Sequence, residues 1–236
     1  MFDRDLDWPT QSAALGCLAR YRHSLLLGAL VVLLLASPLI DDGGSGGILL
    51  SALFSKVLAV GTLAVSRNQR DLVIISGLSA VWLYMTWLHP AWSGSAADEL
   101  AGAILTLCTL YMAGVLLRSV LTAERVSYDV ISGAIAVYLL LGVAWAVIYV
   151  MIEGLVPGSF ALAEQGRGTI WDQLLYFSFT TLTTLGYGDV APLSPLARIW
   201  AVFEAICGTL FLAVLISRLV GLYGPEAGEP ESPSER

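Results

Sequence analysis

The sequence predicts an all-α integral membrane protein with six transmembrane helices, one re-entrant helix too short to cross, and an extended loop after it. Composition is the first ground. Of 236 residues, 57% are hydrophobic and 13% charged, with a mean hydropathy of +0.77, whereas a soluble domain carries about 25% charged residues. Run length is the second. Apolar stretches of about 17–25 residues, enough to span ~30 Å of hydrocarbon, occur near 23–40, 48–66, 72–88, 100–117, 130–152 and 196–221. The third is the shorter stretch near 170–183. It can lie at membrane depth only where protein and a water-filled cavity surround it.

Basic residues set the orientation. Arg4, Arg20 and Arg22 precede the first span, Arg67 and Arg70 follow the second, Arg118 and Arg125 follow the fourth, and Arg218 lies at the end of the sixth. The opposite loops, Asp41–Gly47 and His89–Glu99, hold neither Arg nor Lys. Positive loops stay inside, so both termini are expected in the cytoplasm of a multi-pass protein of the cell membrane, surrounded by lipid. The first run follows two Arg and is Leu-rich like a signal peptide, but no Ala-x-Ala cleavage site follows it, and a retained span is expected. Residues 1–22 read either as a surface helix from about Thr10 or as a flexible tail. The formal charge of -7 gives no sign of nucleic-acid binding. Cys17, Cys108 and Cys207 are too few and scattered for a disulfide framework, and buried thiols are expected at the last two. No metal-ligand cluster or Ser/His/Asp set can be assembled, so neither an enzyme nor a cofactor is expected.

The chemistry lies in Thr180-Thr-Leu-Thr-Thr-Leu-Gly-Tyr-Gly-Asp189. Thr184, Leu185, Gly186, Tyr187 and Gly188 match the five-residue loop whose backbone carbonyls replace the hydration shell of K+, with Leu in place of the commoner Val. Carbonyls suit the task because they are dipoles without net charge. An extended strand alternates their direction, so aiming several at one axis needs residues that tolerate unusual backbone angles, as Gly186 and Gly188 do. Thr184 adds a hydroxyl oxygen below them. Tyr187 and Asp189 are expected to face away and hold the loop open, Tyr187 against aromatic residues of the preceding helix such as Trp171. One loop cannot surround an ion, which implies a homotetramer with K+ at Thr184, Leu185, Gly186 and Tyr187.

These residues, the aromatic-rich stretch Trp171-Asp-Gln-Leu-Leu-Tyr-Phe-Ser-Phe179, the run Gly188-Asp-Val-Ala-Pro192, and Gly208 inside the last hydrophobic helix together resemble the bacterial potassium channel family over roughly 130–223. The resemblance implies a two-helix pore module with K+ as permeant ion. It further places Thr209, Leu212, Ile216 and Val220 on the pore-lining face, where apolar side chains suit a gate that closes by narrowing and drying. Some family members carry Glu where this chain has Thr180, so a carboxylate pair with Asp189 cannot form here. The re-entrant helix should end near Thr183 with its partially negative carbonyl end toward the cavity, which favours a cation there. Gly208 reads either as a bending point or as a packing contact.

The chain divides into a cytoplasmic segment 1–22, a four-span front domain 23–117, a linker 118–129, the pore domain 130–223 and a tail 224–236 expected to be disordered. That plan resembles voltage-gated channels. A voltage sensor, however, needs repeated Arg on its fourth helix, because one charge crossing the field contributes only ~2.3 kcal/mol per 100 mV. Residues 100–117 hold none, so steep voltage dependence is not expected.

Two charges stand inside spans. Lys56 admits snorkelling, pairing with another subunit, or sensing. Glu204 admits a hydrogen bond to the re-entrant helix or a proton-sensitive role. The reading is thus a K+-selective channel, with a weakly selective monovalent cation channel and a non-conducting sensor or assembly subunit as alternatives. A transporter would show paired helix breaks in repeated halves, and the chain has one re-entrant segment and no repeat.

Overall fold

The computed structural model describes residues 22–39, 44–65, 68–88, 95–125, 127–162 and 168–223. The expectations for residues 1–21, for Cys17 and for the tail after Tyr223 lie outside these. Seven helices are described: α1 (Arg22–Ala36), α2 (Gly44–Val65), α3 (Gln69–Leu83), α4 (Ser95–Leu121), α5 (Tyr128–Leu155), α6 (Ile170–Leu182) and α7 (Pro195–Tyr223). Each of the six predicted runs is helical, and the short stretch forms α6. Four helices are long and apolar enough to cross a membrane, over Gly46–Val65, Ala97–Leu121, Tyr128–Leu155 and Pro195–Gly221.

The other two runs are interrupted. α1 has 15 residues and passes into a 3-10 turn, Ser37–Leu39, because the ring of Pro38 disfavours helical backbone in the residue before it. α3 also has 15 residues and changes to a π-helical turn at Tyr84–Leu88. Fifteen residues of α-helix reach only ~22 Å.

The front helices bury a continuous core. Leu26, Leu30 and Leu33, at helical spacing on α1, are fully buried, together with Val57 and Leu58 of α2, Ile75 of α3 and Cys108, Met112 and Leu116 of α4. The same cluster takes in Val137, Leu140 and Val143 of α5, so the front helices rest on α5 of their own chain. Polar contacts reinforce this seam: His23 Nδ1 lies 2.9 Å from Asp129 Oδ2, and Ser24 Oγ donates to Ser132 Oγ at 3.3 Å. The connection between α4 and α5 is short, and the Ser127 side chain caps α5 by accepting from the Val130 amide. Of the two expected buried thiols, Cys108 is buried, whereas Cys207 on α7 is exposed in the single chain. The only basic residue that α4 carries in its last turn is Arg118.

A small β ladder was not legible in the sequence. β1 (Phe160–Ala161) pairs antiparallel with β2 (Ala191–Pro192), Phe160 opposite Pro192 and Ala161 opposite Ala191. The Glu153 carboxylate fixes the turn before β1 by accepting from the Gly158 and Phe160 amides at 2.7 and 3.1 Å. The segment after the Gly-Tyr-Gly loop is therefore anchored to the end of α5.

Candidate functional site

The site is built at the carboxyl end of α6. That helix starts with a capping box: Thr169 Oγ1 accepts from the Asp172 amide at 3.1 Å and Asp172 Oδ2 from the Thr169 amide at 3.1 Å. Such reciprocal bonds satisfy amides that a helix start otherwise leaves unpaired. Asp172 Oδ1 also accepts from the Ser37 hydroxyl at the end of α1, which ties the front domain to the base of α6.

At the other end Thr183 is the C-cap, and its Oγ1 donates to the Phe179 carbonyl at 2.6 Å. The chain then folds back over the helix. The amides of Leu185 and Gly186 donate to the Thr180 carbonyl at 2.8 and 3.2 Å, and that of Thr184 to the Thr181 carbonyl at 2.9 Å. Thr184, Gly186 and Gly188 have φ of 59°, 54° and 82°, while Leu185 and Tyr187 lie outside the left-handed region. Alternating handedness rotates every second peptide, so successive carbonyls gather on one side instead of alternating as in a strand. Thr184 is the only non-glycine with positive φ among the described residues. An L-residue there costs roughly 1–2 kcal/mol, and such strain concentrates at functional sites. Residues 183–189 are all exposed in the single chain.

The support behind the loop differs in part from expectation. Trp171 lies in the first turn of α6 and packs edge-on against Phe54 of α2, with ring centroids 5.2 Å apart. Within the single chain its ring contact is with Phe54, while the end of the returning loop is met at the middle of α6. There Tyr176 donates to Asp189 Oδ1 at 3.1 Å. Thr180 is buried and serves through its backbone carbonyl, while its hydroxyl donates to the Phe177 carbonyl at 3.0 Å.

Two glycines let α6 sit tightly between α5 and α7. A Cβ at Gly142 would stand 2.5 Å from the Phe179 ring, and one at Gly208 would stand 2.3 Å from the Leu182 carbonyl oxygen. Tyr138 of α5 donates to that same carbonyl at 3.2 Å. Helix α7 runs unbroken through Gly208, so close approach is what the position requires in this structure. Thr209, Leu212, Ile216 and Val220 are exposed along α7 in the single chain.

Of the two odd charges, Glu204 is fully buried and bonded to Ser178 of α6 and Tyr149 of α5. Lys56 is exposed on α2, with no acidic side chain at ion-pair distance among the described residues. Tyr176, Tyr138, Tyr149, Ser178 and Gly142 were missed as site residues. All are ordinary constituents of apolar helices, and only the fold reveals that they converge.

The sequence pattern of a family described as "Ion channel" matches residues 134–223, which contain α6, the loop and α7. The inward rectifier potassium channel Kirbac3.1 of Paramagnetospirillum magnetotacticum is 37% identical over 101 residues, covering 38% of this chain and 34% of that protein. Protein LctB of Bacillus caldotenax is 30% identical over 134 residues, 55% of this chain and 93% of the relative. The chain belongs to the potassium channel family. Two-pore potassium channel 5 of Arabidopsis thaliana shares 48% identity over 46 residues, 20% of this chain and 11% of that protein. This potassium channel family member thus spans about a third of the inward rectifier's length and nearly all of LctB's.

In this family member the Tyr176–Asp189 bond makes a testable contribution. Removing the Tyr176 hydroxyl leaves Asp189 Oδ1 without the contact that ties the end of the loop to the middle of α6. Tyr176→Phe should lower the thermal midpoint of the detergent-solubilised protein in KCl by a few degrees. An unchanged midpoint would remove Tyr176 from the supports of the loop.

Proposed function

We propose that four copies of this chain form a K+-selective channel in the cell membrane, with the Thr184–Gly188 carbonyls as the ion path. The observation that carries this is the alternation of left-handed backbone at Thr184, Gly186 and Gly188, an arrangement that turns amide dipoles into a cation cage. Exposure supports the tetramer. The loop and the apolar residues Val202, Phe203, Ile206 and Leu210 of α7 are open in one chain, and an ion needs carbonyls on every side. K+ would sit at Thr184, Leu185, Gly186 and Tyr187, with Thr183 and Asp189 as supports, Thr209, Leu212, Ile216 and Val220 lining the inner pore, and Gly208 as its bending point or contact.

The proposed topology has six membrane crossings, α1 and α3 completing theirs with the turns that follow them. A front domain over 23–117 and a pore domain over 130–223 are joined by residues 118–129, and both termini face the cytoplasm. Steep intrinsic voltage dependence is absent in this reading, since α4 carries its basic residue only in its last turn. The protein is neither an enzyme nor dependent on a cofactor. Its partners are identical subunits, lipid and K+.

Purified protein in liposomes with a K+ gradient should carry flux, and its reversal potential should move toward the K+ equilibrium value when Na+ replaces K+ on one side. A reversal potential indifferent to the exchange would favour the weakly selective alternative, and no flux the non-conducting one. The same recordings should give a nearly linear conductance from −100 to +100 mV, about the range over which ~2.3 kcal/mol per charge and 100 mV would otherwise show steep gating.

A further inference from the structure

We propose that Glu204 is a positioning residue for the filter and works as a neutral carboxylic acid, the middle member of a proton-ordered chain that fastens α6 to α5 and α7. Three oxygen contacts meet there. The Tyr149 hydroxyl of α5 donates to Glu204 Oε2. Glu204 Oε1 lies 2.5 Å from Ser178 Oγ of α6. Ser178 Oγ lies 2.7 Å from the Gly142 carbonyl oxygen of α5.

A hydroxyl carries one hydrogen and a carbonyl none, so the protons can be counted. With Glu204 ionised, Tyr149 and Ser178 supply two protons for three contacts, and two oxygens must face each other bare. With Glu204 protonated, each contact has its proton: Tyr149 O–H to Oε2, Oε1–H to Ser178 Oγ, and Ser178 O–H to the Gly142 carbonyl. The surroundings agree. Glu204 is fully buried, beside the apolar cluster that includes Trp145, Tyr149, Phe160 and Phe177. The titratable groups facing it are Tyr149 and Tyr138, both from α5; α6 contributes Ser178, which does not titrate. No Lys, Arg or His is at ion-pair distance among the described residues. An uncompensated carboxylate at such a place inside a membrane span is costly.

The chain of bonds bears on the loop directly. Ser178 is two residues before Thr180, whose carbonyl holds the Leu185 and Gly186 amides. Losing the acid proton leaves one contact without hydrogen and a charge between α6 and α7, which loosens the helix that carries the filter.

The test separates this inference from the conduction reading on which its functional arm rests. Infrared difference spectra of reconstituted wild type against Glu204→Gln at neutral pH should show a protonated-carboxyl stretch present only in wild type, and Ser178→Ala should shift that band. This readout needs no ion flux. In flux assays Glu204→Gln should stay near wild type, because an amide accepts from Tyr149 and donates to Ser178 in the same places. Glu204→Ala should lose at least ~10-fold, the scale of a buried bond broken with its partner left unsatisfied. The proposal is overturned if no carboxylic-acid band disappears in Glu204→Gln, or if that variant loses flux as Glu204→Ala does while remaining folded.

Discussion

Gly186→Ala should reduce K+ flux into liposomes to background while leaving the protein folded and assembled. Gly186 has φ +54° and no neighbouring atom within 4 Å of where a Cβ would stand. The substitution therefore meets no packing obstacle within the chain, and its cost is conformational. A side chain in the left-handed region costs about 1–2 kcal/mol per residue. In the proposed tetramer, four copies around one axis add to about 4–8 kcal/mol, which lowers the population of the conducting arrangement by roughly 10³ or more. The helices are untouched, so the circular dichroism spectrum and elution volume should match wild type. Wild-type flux from the variant would remove the loop from the ion path, and a collapsed elution profile would show that the glycine serves folding instead.

The second large effect is expected at Gly208. In a helix interior, Gly to Ala normally gains about 1 kcal/mol in propensity. Here the added Cβ would stand 2.3 Å from the Leu182 carbonyl oxygen. Backbone cannot rotate away as a flexible side chain can, and forced overpacking costs about 1–3 kcal/mol per chain. The clash should win. Gly208→Ala is expected to lower the thermal midpoint by several degrees and to reduce K+ over Na+ selectivity, because Leu182 lies two residues before Thr184. Gly114 on α4, which has nothing within 4 Å, is the control, and Gly114→Ala should leave selectivity unchanged and raise the thermal midpoint slightly through helix propensity alone. Equal responses at the two positions would refute the contact explanation and return Gly208 to the role of a bending point.

Much of this arrangement could be read before any coordinates. Six apolar runs and a short seventh fall on the seven described helices, four of them long and apolar enough to cross a membrane, because burial in lipid demands long runs of one chemical character. The loop was legible because its glycines are required by backbone angles and not by partners. Thr184 shows where that reasoning stopped: nothing in a threonine announces a φ of 59°, which follows from alternation with Gly186 and Gly188. Tyr176, in the same aromatic stretch as Trp171, becomes legible as a support only once its bond to Asp189 sets the depth of the returning loop. Glu204 stood out as a charge inside a span, but its partners Ser178 and Tyr149, 26 and 55 positions away, depend on how three helices cross.

The seam between α1 and the pore module also bears on how copies come together. Leu26 and Leu30 share one core with Val137 and Leu140, and Ser37 reaches Asp172, all within a single chain. In the tetramer proposed above, these contacts would lie inside each subunit, and the copies would meet through the open faces of α7 and the loop. Such encounters depend on subunit concentration in the bilayer, whereas the front-to-pore seam forms at a rate independent of it.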